Sequence, residues 1–115
     1  MTVDKSLLAG STTMLVLKLL DGQDMYGYQM IETLRERSEH SFDLKAGTLY
    51  PLLHSLEEKE LIRSYEKDEG AARPRRYYHL ERKGQHLLRE KEVEWATFTT
   101  AVDRVLKGGV CLGSA

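Results

Sequence analysis

Two segments in the N-terminal part of the chain carry hydrophobic residues at helical spacing. Residues 3–20 are apolar around most of the helix circumference, which is typical of a helix buried on several sides. Asp21 and Gly22 are predicted to end this helix, because glycine readily takes the left-handed conformation of a helix C-terminus. A second, amphipathic helix is predicted to begin with Asp24 as its N-cap and to end near Ser38.

The third helical segment has the clearest pattern in the chain. Its stripe at spacings i, i+3, i+4 and i+7 consists of Leu49, Leu52, Leu53 and Leu56. A proline inside a helix costs about 3 kcal/mol, so Pro51 is expected near the first turn, where N–H groups have no helical partner. The helix is therefore predicted to begin at Ala46 or Gly47.

A β-hairpin is predicted after the third helix. Residues 61–65 and 76–80 are short runs rich in β-forming side chains, and the second run alternates between polar and apolar positions. The polar stretch between them, Glu66 to Pro74, contains a glycine and a proline and is too long for a tight turn. We therefore expect the hairpin loop to project from the domain as a flap.

The last segment, residues 82–107, predicts one long helix. Its apolar stripe follows the a and d positions of a heptad repeat, interrupted where Lys91 takes a d position, and consists of Leu88, Trp95, Phe98, Val102 and Val105. A helix of about 24 residues extends for about 36 Å, which exceeds the width of so small a domain. Part of the stripe is therefore expected to lack a partner within the chain. Residues 108–115 have the composition of a flexible tail.

The order of these elements predicts a mainly α fold with a small β-hairpin. The second and third helices are separated by residues 39–45, a connection of the length found in helix-turn-helix motifs. The hairpin behind that motif corresponds to a wing. In a winged helix-turn-helix the exposed face of the third helix enters the major groove, which makes DNA binding the first functional hypothesis.

The charge distribution supports a nucleic-acid partner. The chain has 115 residues and a formal net charge of −1, which excludes a protein coated with basic residues. Residues 71–91, however, contain seven basic and two acidic side chains, whereas residues 57–69 contain three basic and six acidic ones. Arg73 and Arg75 flank Pro74 and are expected to find few carboxylates nearby. They are therefore predicted to contact phosphate groups or a minor groove.

Other classes of protein find no support in the sequence. The single cysteine, Cys111, cannot form an internal disulfide or a cysteine-based zinc finger. No two of the four histidines are spaced i, i+4 on a helix, and no nucleophile or phosphate-binding motif of an enzyme is present. We therefore expect no enzymatic activity, no cofactor and no metal site. The apolar runs are too short to span a membrane, so a cytoplasmic location without membrane contact is expected.

Several short motifs together resemble the PadR-like family of transcriptional regulators. They are Tyr26-Gly27-Tyr28, Gly47-Thr48-Leu49-Tyr50-Pro51-Leu52-Leu53, Leu56-Glu57, Leu61-Ile62, Arg76-Tyr77-Tyr78-His79-Leu80 and Lys83-Gly84. The resemblance covers about residues 5–107 and is to the short subgroup, which has a single C-terminal helix. It implies a homodimeric winged-helix repressor. Residues 1–80 would form the DNA-binding domain, residues 81–107 the dimerisation helix and residues 108–115 a tail.

The architecture and the resemblance together indicate which residues contact DNA. A double-stranded, pseudo-palindromic operator is expected to meet the third helix, its flanks and the wing through Tyr28, Lys45, Thr48, Tyr50, Pro51, His54, Ser55, Arg73, Arg75 and Arg76. Arg76 has Glu66 as a competing partner. In two pairs of nearby tyrosines, one ring is expected to face the core and the other solvent: Tyr26 with Tyr28, and Tyr77 with Tyr78.

Two features depart from the family pattern. The wing loop is longer and carries Pro74, which is expected to alter the contacts of the wing. Glu81 replaces the usual threonine N-cap of the last helix and is expected to weaken that cap.

The apolar stripe of the last helix has two interpretations. Leu88, Trp95, Phe98, Val102 and Val105 form either a packed dimer interface or the wall of an effector site. Several family members are released from DNA by phenolic acids or lipophilic drugs, and two symmetry-related Trp95 indoles could sandwich a flat aromatic compound. Two alternatives to a regulator stay open. One is a winged-helix module that binds another protein, and the other is a small-molecule-binding protein without an effect on DNA.

Overall fold

The computed structural model describes residues 3–70 and 73–108. In chain order, its helices and strands are α1 (Lys5–Ala9), α2 (Thr12–Leu20), β1 (Met25–Tyr26), α3 (Gly27–Arg37), α4 (Ala46–Glu58), β2 (Ile62–Lys67), β3 (Arg75–Leu80) and α5 (Arg82–Leu106). None of these helices is both long enough and apolar enough to cross a membrane. The mainly α fold with a small hairpin is confirmed. Cys111 and the rest of the predicted tail beyond residue 108 lie outside the described residues.

The first predicted helix is in fact two helices, α1 and α2, so the prediction of one helix over residues 3–20 is wrong. The break follows directly after α1, at Gly10. The carbonyl oxygen of Leu8 accepts the N–H of Ser11 at 3.0 Å and the hydroxyl of Thr12 at 2.8 Å. Hydroxyl groups that bond to nearby backbone compete with the regular helical bonds, and the apolar pattern alone does not reveal this competition.

The second predicted helix begins later than the sequence indicated. Met25 and Tyr26 form β1 and α3 starts at Gly27, so the prediction of Asp24 as its N-cap is wrong. β1 pairs antiparallel with β3, which gives the backbone of this short segment hydrogen-bond partners far along the chain. The C-terminal end of α3 at Arg37 agrees with the prediction.

The third predicted helix, α4, begins at Ala46 as predicted, but Pro51 lies in its second turn and not in its first. The missing N–H of Pro51 leaves the carbonyl oxygen of Gly47 without its helical donor. Both residues are exposed, so water can reach that oxygen. The buried stripe of the helix consists of Leu49, Leu53 and Leu56.

The three strands form one antiparallel sheet in the order β1-β3-β2. β2 and β3 pair along their whole lengths of six residues each. Alternation along β3 turns Tyr78 and Leu80 into the hydrophobic core and Tyr77 towards the outer face of the sheet. The wing is therefore a hairpin with one face in the core and one face directed away from it.

The hydrophobic core lies between α2, α3, α4 and the inner face of the sheet, and the first turns of α5 complete it. The most deeply buried side chains are Val16, Leu17, Leu20, Met25, Met30, Leu49, Leu53, Ile62 and Leu88. Gly84 lets α5 approach the body closely, because a methyl group there would overlap the carbonyl oxygen of Leu61 and the side chain of Leu80. Beyond these first turns α5 extends away from the core.

Candidate nucleic-acid interface

The exposed face of α4 carries most of the DNA contacts predicted from the sequence. The leucine stripe of the helix faces the core, so its other side is open to solvent. The predicted contacts on that side are Thr48, Tyr50, Pro51, His54 and the half-buried Ser55, with exposed Lys45 directly before the helix. Tyr28, the predicted contact on α3, is exposed as well.

Two basic side chains of this surface have acidic neighbours. The ammonium group of Lys45 lies 2.8 Å from a carboxylate oxygen of Asp43, and its hydrogen bond lowers the pKa of Asp43. Nε2 of His54 lies 3.4 Å from a carboxylate oxygen of Glu58, one helical turn further along α4. Exposed pairs of this kind are weak because water and salt screen them, so a phosphate group can replace either carboxylate.

Arg75 of the wing is held more tightly than the sequence predicts. The expectation of few carboxylates nearby is wrong, because its guanidinium lies 3.3 Å from Glu69 and 4.5 Å from the centre of the Tyr26 ring. The hairpin causes this, since it folds the acidic stretch of residues 57–69 back along the basic stretch. An ion pair and a cation–π contact thus fix Arg75 on the outer face of the sheet.

Two other arginines predicted to contact DNA, Arg73 and Arg76, are more accessible. Arg76 lies opposite Glu66 in the sheet with the charged groups 4.0 Å apart, so the partner predicted from the sequence is confirmed. Both side chains are more than half exposed, which makes the pair weak. Arg73 is exposed in the loop and has no ion-pair partner among the described residues. Phosphate groups can therefore reach both Arg73 and Arg76.

Three tyrosines lie side by side across the outer face of the sheet. Tyr77 of β3 lies between Tyr26 of β1, at a ring-centre distance of 5.4 Å, and Tyr65 of β2, at 5.9 Å. Tyr77 is consequently buried although it points away from the helices, and Tyr78 is buried in the core. The prediction that one ring of this pair faces solvent is therefore wrong. Its physical reason is the row of neighbouring rings, which only the strand register creates.

Glu69 anchors the middle ring of this tyrosine row. Its carboxylate accepts the hydroxyl of Tyr77 at 2.6 Å. This hydrogen bond, together with the charges of Lys67 and Arg75, lowers the pKa of Glu69. Sequence analysis did not single out Glu69, because Tyr77 and Arg75 lie on the opposite strand and become its neighbours only through the hairpin register.

Asp24 anchors one end of the row, at Tyr65. Its carboxylate accepts the hydroxyl of Tyr65 at 2.6 Å and lies 2.8 Å from Nδ1 of His79. Burial raises the pKa of Asp24, but the hydrogen bonds from Tyr65 and His79 outweigh burial, and the pKa is lowered overall. Asp24 thus joins the segment before β1 to both strands of the wing. No third potential metal ligand joins this pair among the residues that the structure describes.

Glu81 directs its side chain away from the helix that it precedes. It is the N-cap residue of α5 but makes no capping hydrogen bond. Its carboxylate instead accepts from Nε of Arg63 on β2 at 2.9 Å. The weak cap predicted from the sequence is therefore confirmed, and the acid joins α5 to the wing.

The distal part of α5 carries an apolar stripe that is open to solvent in the single chain. Trp95, Phe98 and Val105 are 46%, 58% and 79% exposed, and Val102 is half-buried. Leu88, which the heptad pattern assigns to the same stripe, is completely buried. Its assignment to a dimer or effector surface is therefore wrong, because α2 and the rest of the core already cover this part of α5.

A shallow groove of about 350 Å³ lies where α5 leaves α2. It is lined by Met14, Leu15, Lys18, Glu92 and Trp95. The ammonium group of Lys18 and a carboxylate oxygen of Glu92 are 3.4 Å apart, so the charges of the lining are paired with each other. A mainly apolar groove with paired charges suits an aromatic or aliphatic ligand better than a strongly charged one.

Comparisons with known proteins show which family has this sequence and architecture. Residues 16–90 match the model of the transcriptional regulator PadR-like family. The chain is 31% identical over 106 residues to an uncharacterized protein of Lysinibacillus sphaericus, which covers 92% of this chain and 97% of that protein. A PadR family transcriptional regulator of Eggerthella lenta is 34% identical, with a TM-score of 0.78 over 88% of this chain and 86% of that chain. A transcriptional regulator of Clostridium thermocellum is 25% identical, with a TM-score of 0.82 over 90% of this chain and 97% of that chain.

The matched region contains the predicted DNA-binding surfaces. Residues 16–90 include α4, the wing and every residue that the sequence predicts to contact DNA. The match favours a regulator over a winged-helix module for protein binding and over a small-molecule-binding protein. This chain belongs to the PadR-like family of transcriptional regulators and is a DNA-binding regulator.

Proposed function

We propose that this protein is a homodimeric transcriptional repressor that a small aromatic or lipophilic effector releases from its operator. The observation that carries the proposal is the solvent-exposed apolar stripe on distal α5, in a chain whose family binds DNA. A regulator that binds DNA as a single chain would have no use for such a stripe, whereas a second copy of α5 would bury it.

The second copy is favoured by the chemistry of the stripe. Trp95, Phe98 and Val105 lie at heptad-like spacing, and side chains at such positions interlock with those of a partner helix. Exposed apolar patches of this kind on a water-facing surface mark association sites. Residues 81–107 would therefore act as the dimerisation helix, with the winged domain of residues 1–80 at its end.

The proposed DNA contacts are divided between bases and phosphates. Thr48, Tyr50 and His54 would read base edges in the major groove, and the accessible arginines Arg73 and Arg76 would bind phosphates or enter a minor groove. Two copies joined through α5 would present two α4 helices about one turn of DNA apart, or about 34 Å. The operator would then be a pseudo-palindrome.

The proposed effector site lies beside Trp95. The groove between α2 and α5 has mainly apolar walls, and a second copy would bring its own indole close to this region. An effector releases DNA only if it binds more tightly to the dimer conformation that does not fit the operator. An inserted aromatic ring that changes the spacing of the two α4 helices would satisfy this condition.

A fluorescence titration tests the proposal, because Trp95 is the single tryptophan of the chain. The protein is bound to a labelled duplex from the region upstream of its own gene, at several salt concentrations, and titrated with aromatic and lipophilic compounds. We expect DNA affinity to fall steeply with salt, and an active compound to quench Trp95 and release DNA together. Trp95→Phe removes the fluorophore and is the control that assigns the optical signal to Trp95.

The other outcomes separate the alternatives. If the protein binds DNA but no compound quenches Trp95, the regulator assignment stands and the effector proposal fails. Quenching without a change in DNA affinity would support a small-molecule-binding protein. Absent or salt-independent DNA binding would support a module that binds another protein.

A further inference from the structure

The backbone conformation at Gly27, the first residue of α3, does not require a glycine. The residue is buried and its φ does not lie in the left-handed region, so an alanine could adopt the same backbone conformation. Space is the constraint. A Cβ atom at this position would overlap the hydroxyl of Tyr50 and would lie only 2.6 Å from Cζ and 2.8 Å from Cε1 of its ring.

This contact joins the two helices of the helix-turn-helix at a predicted DNA contact. Tyr50 projects from the exposed face of α4, yet it is only 46% exposed because its ring lies across Gly27. An exposed tyrosine without such a neighbour samples several rotamers, and fixing one of them has an entropic cost when a ligand binds. A ring that is already packed avoids that cost.

We propose that Gly27 is a positioning residue, which holds the ring of Tyr50 in the orientation that contacts DNA. The proposal rests on the DNA contact of Tyr50 that is part of the proposed function. The overlapping atoms belong to the far end of a side chain, so an alanine at Gly27 displaces the ring and leaves the fold intact. Gly84 differs, because its close neighbour is the backbone carbonyl of Leu61, which cannot swing away.

A double-substitution cycle tests this inference. Gly27→Ala, Tyr50→Ala and the combined variant are measured by fluorescence anisotropy against the upstream duplex and a scrambled duplex of equal length. We expect G27A and Y50A each to weaken specific binding by about tenfold, the loss expected for one good DNA contact. G27A should weaken it no further in the Y50A background. Gly10→Ala is the matched control, since its added methyl would meet only the Leu7 carbonyl oxygen, at 3.9 Å.

Thermal unfolding of the same variants reports the contact without DNA. G27A should lower Tm when Tyr50 is present and should raise it in the Y50A background, because alanine favours a helix over glycine. Tyr50→Phe removes the hydroxyl that overlaps first, so the effect of G27A on Tm should shrink in the Y50F background. This intermediate variant keeps the ring and therefore measures the contact even if G27A alone folds poorly.

The outcomes separate this inference from the function on which it rests. Unchanged specific binding by G27A, or an equal loss with and without Tyr50, overturns the positioning role. A further outcome is that the effect of G27A on Tm depends on Tyr50 while Y50A binds DNA like the wild type. That result would support the packing contact but would overturn both the DNA contact of Tyr50 and the positioning role. Loss of binding by Y50A and G27A without additivity supports the proposal.

Discussion

Residues 82–91 and residues 92–106 belong to one continuous helix, but the two halves have opposite surroundings. In the first half, Gly84 and Leu88 are buried against α2 and the sheet. In the second half, side chains of the same apolar character face solvent, among them Trp95 and Phe98. The amphipathic pattern continues through both halves. What changes is the partner: the fold supplies one to the first half, and the proposed second copy would supply one to the other.

Shortening a buried side chain in the first half of α5 should have the largest effect on stability. Leu88→Ala removes a fully buried side chain from a packed core, which costs about 2–5 kcal/mol of unfolding free energy. Chemical denaturation followed by circular dichroism measures the loss. Val93→Ala, on an exposed position of the same helix, should change the value by about 0.5 kcal/mol or less. Equal losses at both positions would contradict the division of α5 into two halves.

A charge in the exposed half should act on association and leave the fold of the single chain intact. Phe98→Glu places a carboxylate in the proposed dimer seam and should reduce the association free energy by about 2 kcal/mol or more. Sedimentation velocity over a range of concentrations measures the shift towards single chains. Val93→Glu is the matched control, because Val93 is exposed on the opposite side of α5. Comparable dissociation by both variants would show that the stripe is not the seam.

A methyl group at Gly84 tests the close approach of the buried half. Gly84→Ala would push α5 away from the Leu61 carbonyl and should destabilise the fold by about 1–3 kcal/mol. Its Tm should fall clearly below that of Gly10→Ala, where the added methyl group has room. A Tm equal to wild type would mean that the junction between α5 and the body is loose.

Low pH should weaken the contacts between the wing and Asp24, a residue that lies outside α5. The pKa of Asp24 in the folded chain is lowered from its ordinary value of 3.8, so its contribution to stability is present above that pH and is lost as the pH falls through the lowered pKa. Asp24→Asn should therefore lower Tm by a few degrees near pH 7, and the difference from wild type should vanish towards pH 2. A difference that persists at low pH would assign the loss to hydrogen-bond geometry and not to charge.

The ion pairs at the junction of the two halves should have the smallest effect. Where α5 leaves the body, a group of ion pairs with N···O distances of 3.4–4.0 Å joins Lys18, Asp21, Arg89 and Glu92. Glu92→Gln should change the unfolding free energy by about 0.5 kcal/mol, and the change should disappear in high salt. A larger effect that resists salt would mean that this cluster fixes the direction of distal α5.

The parts of the fold that the sequence predicted are those whose pattern is local. The leucine stripe of α4 and the heptad-like stripe of α5 define both helices, because an amphipathic helix shows its buried face in its own residues. The alternation in residues 76–80 likewise predicted the wing strand that the structure shows as β3. The face of α4 that carries Thr48 and His54 followed directly from the position of the buried stripe.

The parts that sequence analysis missed depend on distant partners. β1 is a two-residue strand that exists because β3 pairs with it, and Asp24 acts through Tyr65 and His79 on other strands. The prediction that Arg75 has few carboxylates nearby failed for the same reason, since Glu69 becomes its neighbour only through the hairpin. Leu88 shows the reverse case: its heptad position was read correctly, but the core and not a second copy covers it.

The exposed half of α5 also determines how the regulator would respond to its own abundance. If two chains must join before the stripe is covered, the concentration of operator-binding species rises with the square of chain concentration when the protein is scarce. A twofold change in synthesis would then produce about a fourfold change in active regulator. The few large side chains at the end of one helix would thus set a threshold level of expression below which the target gene escapes control.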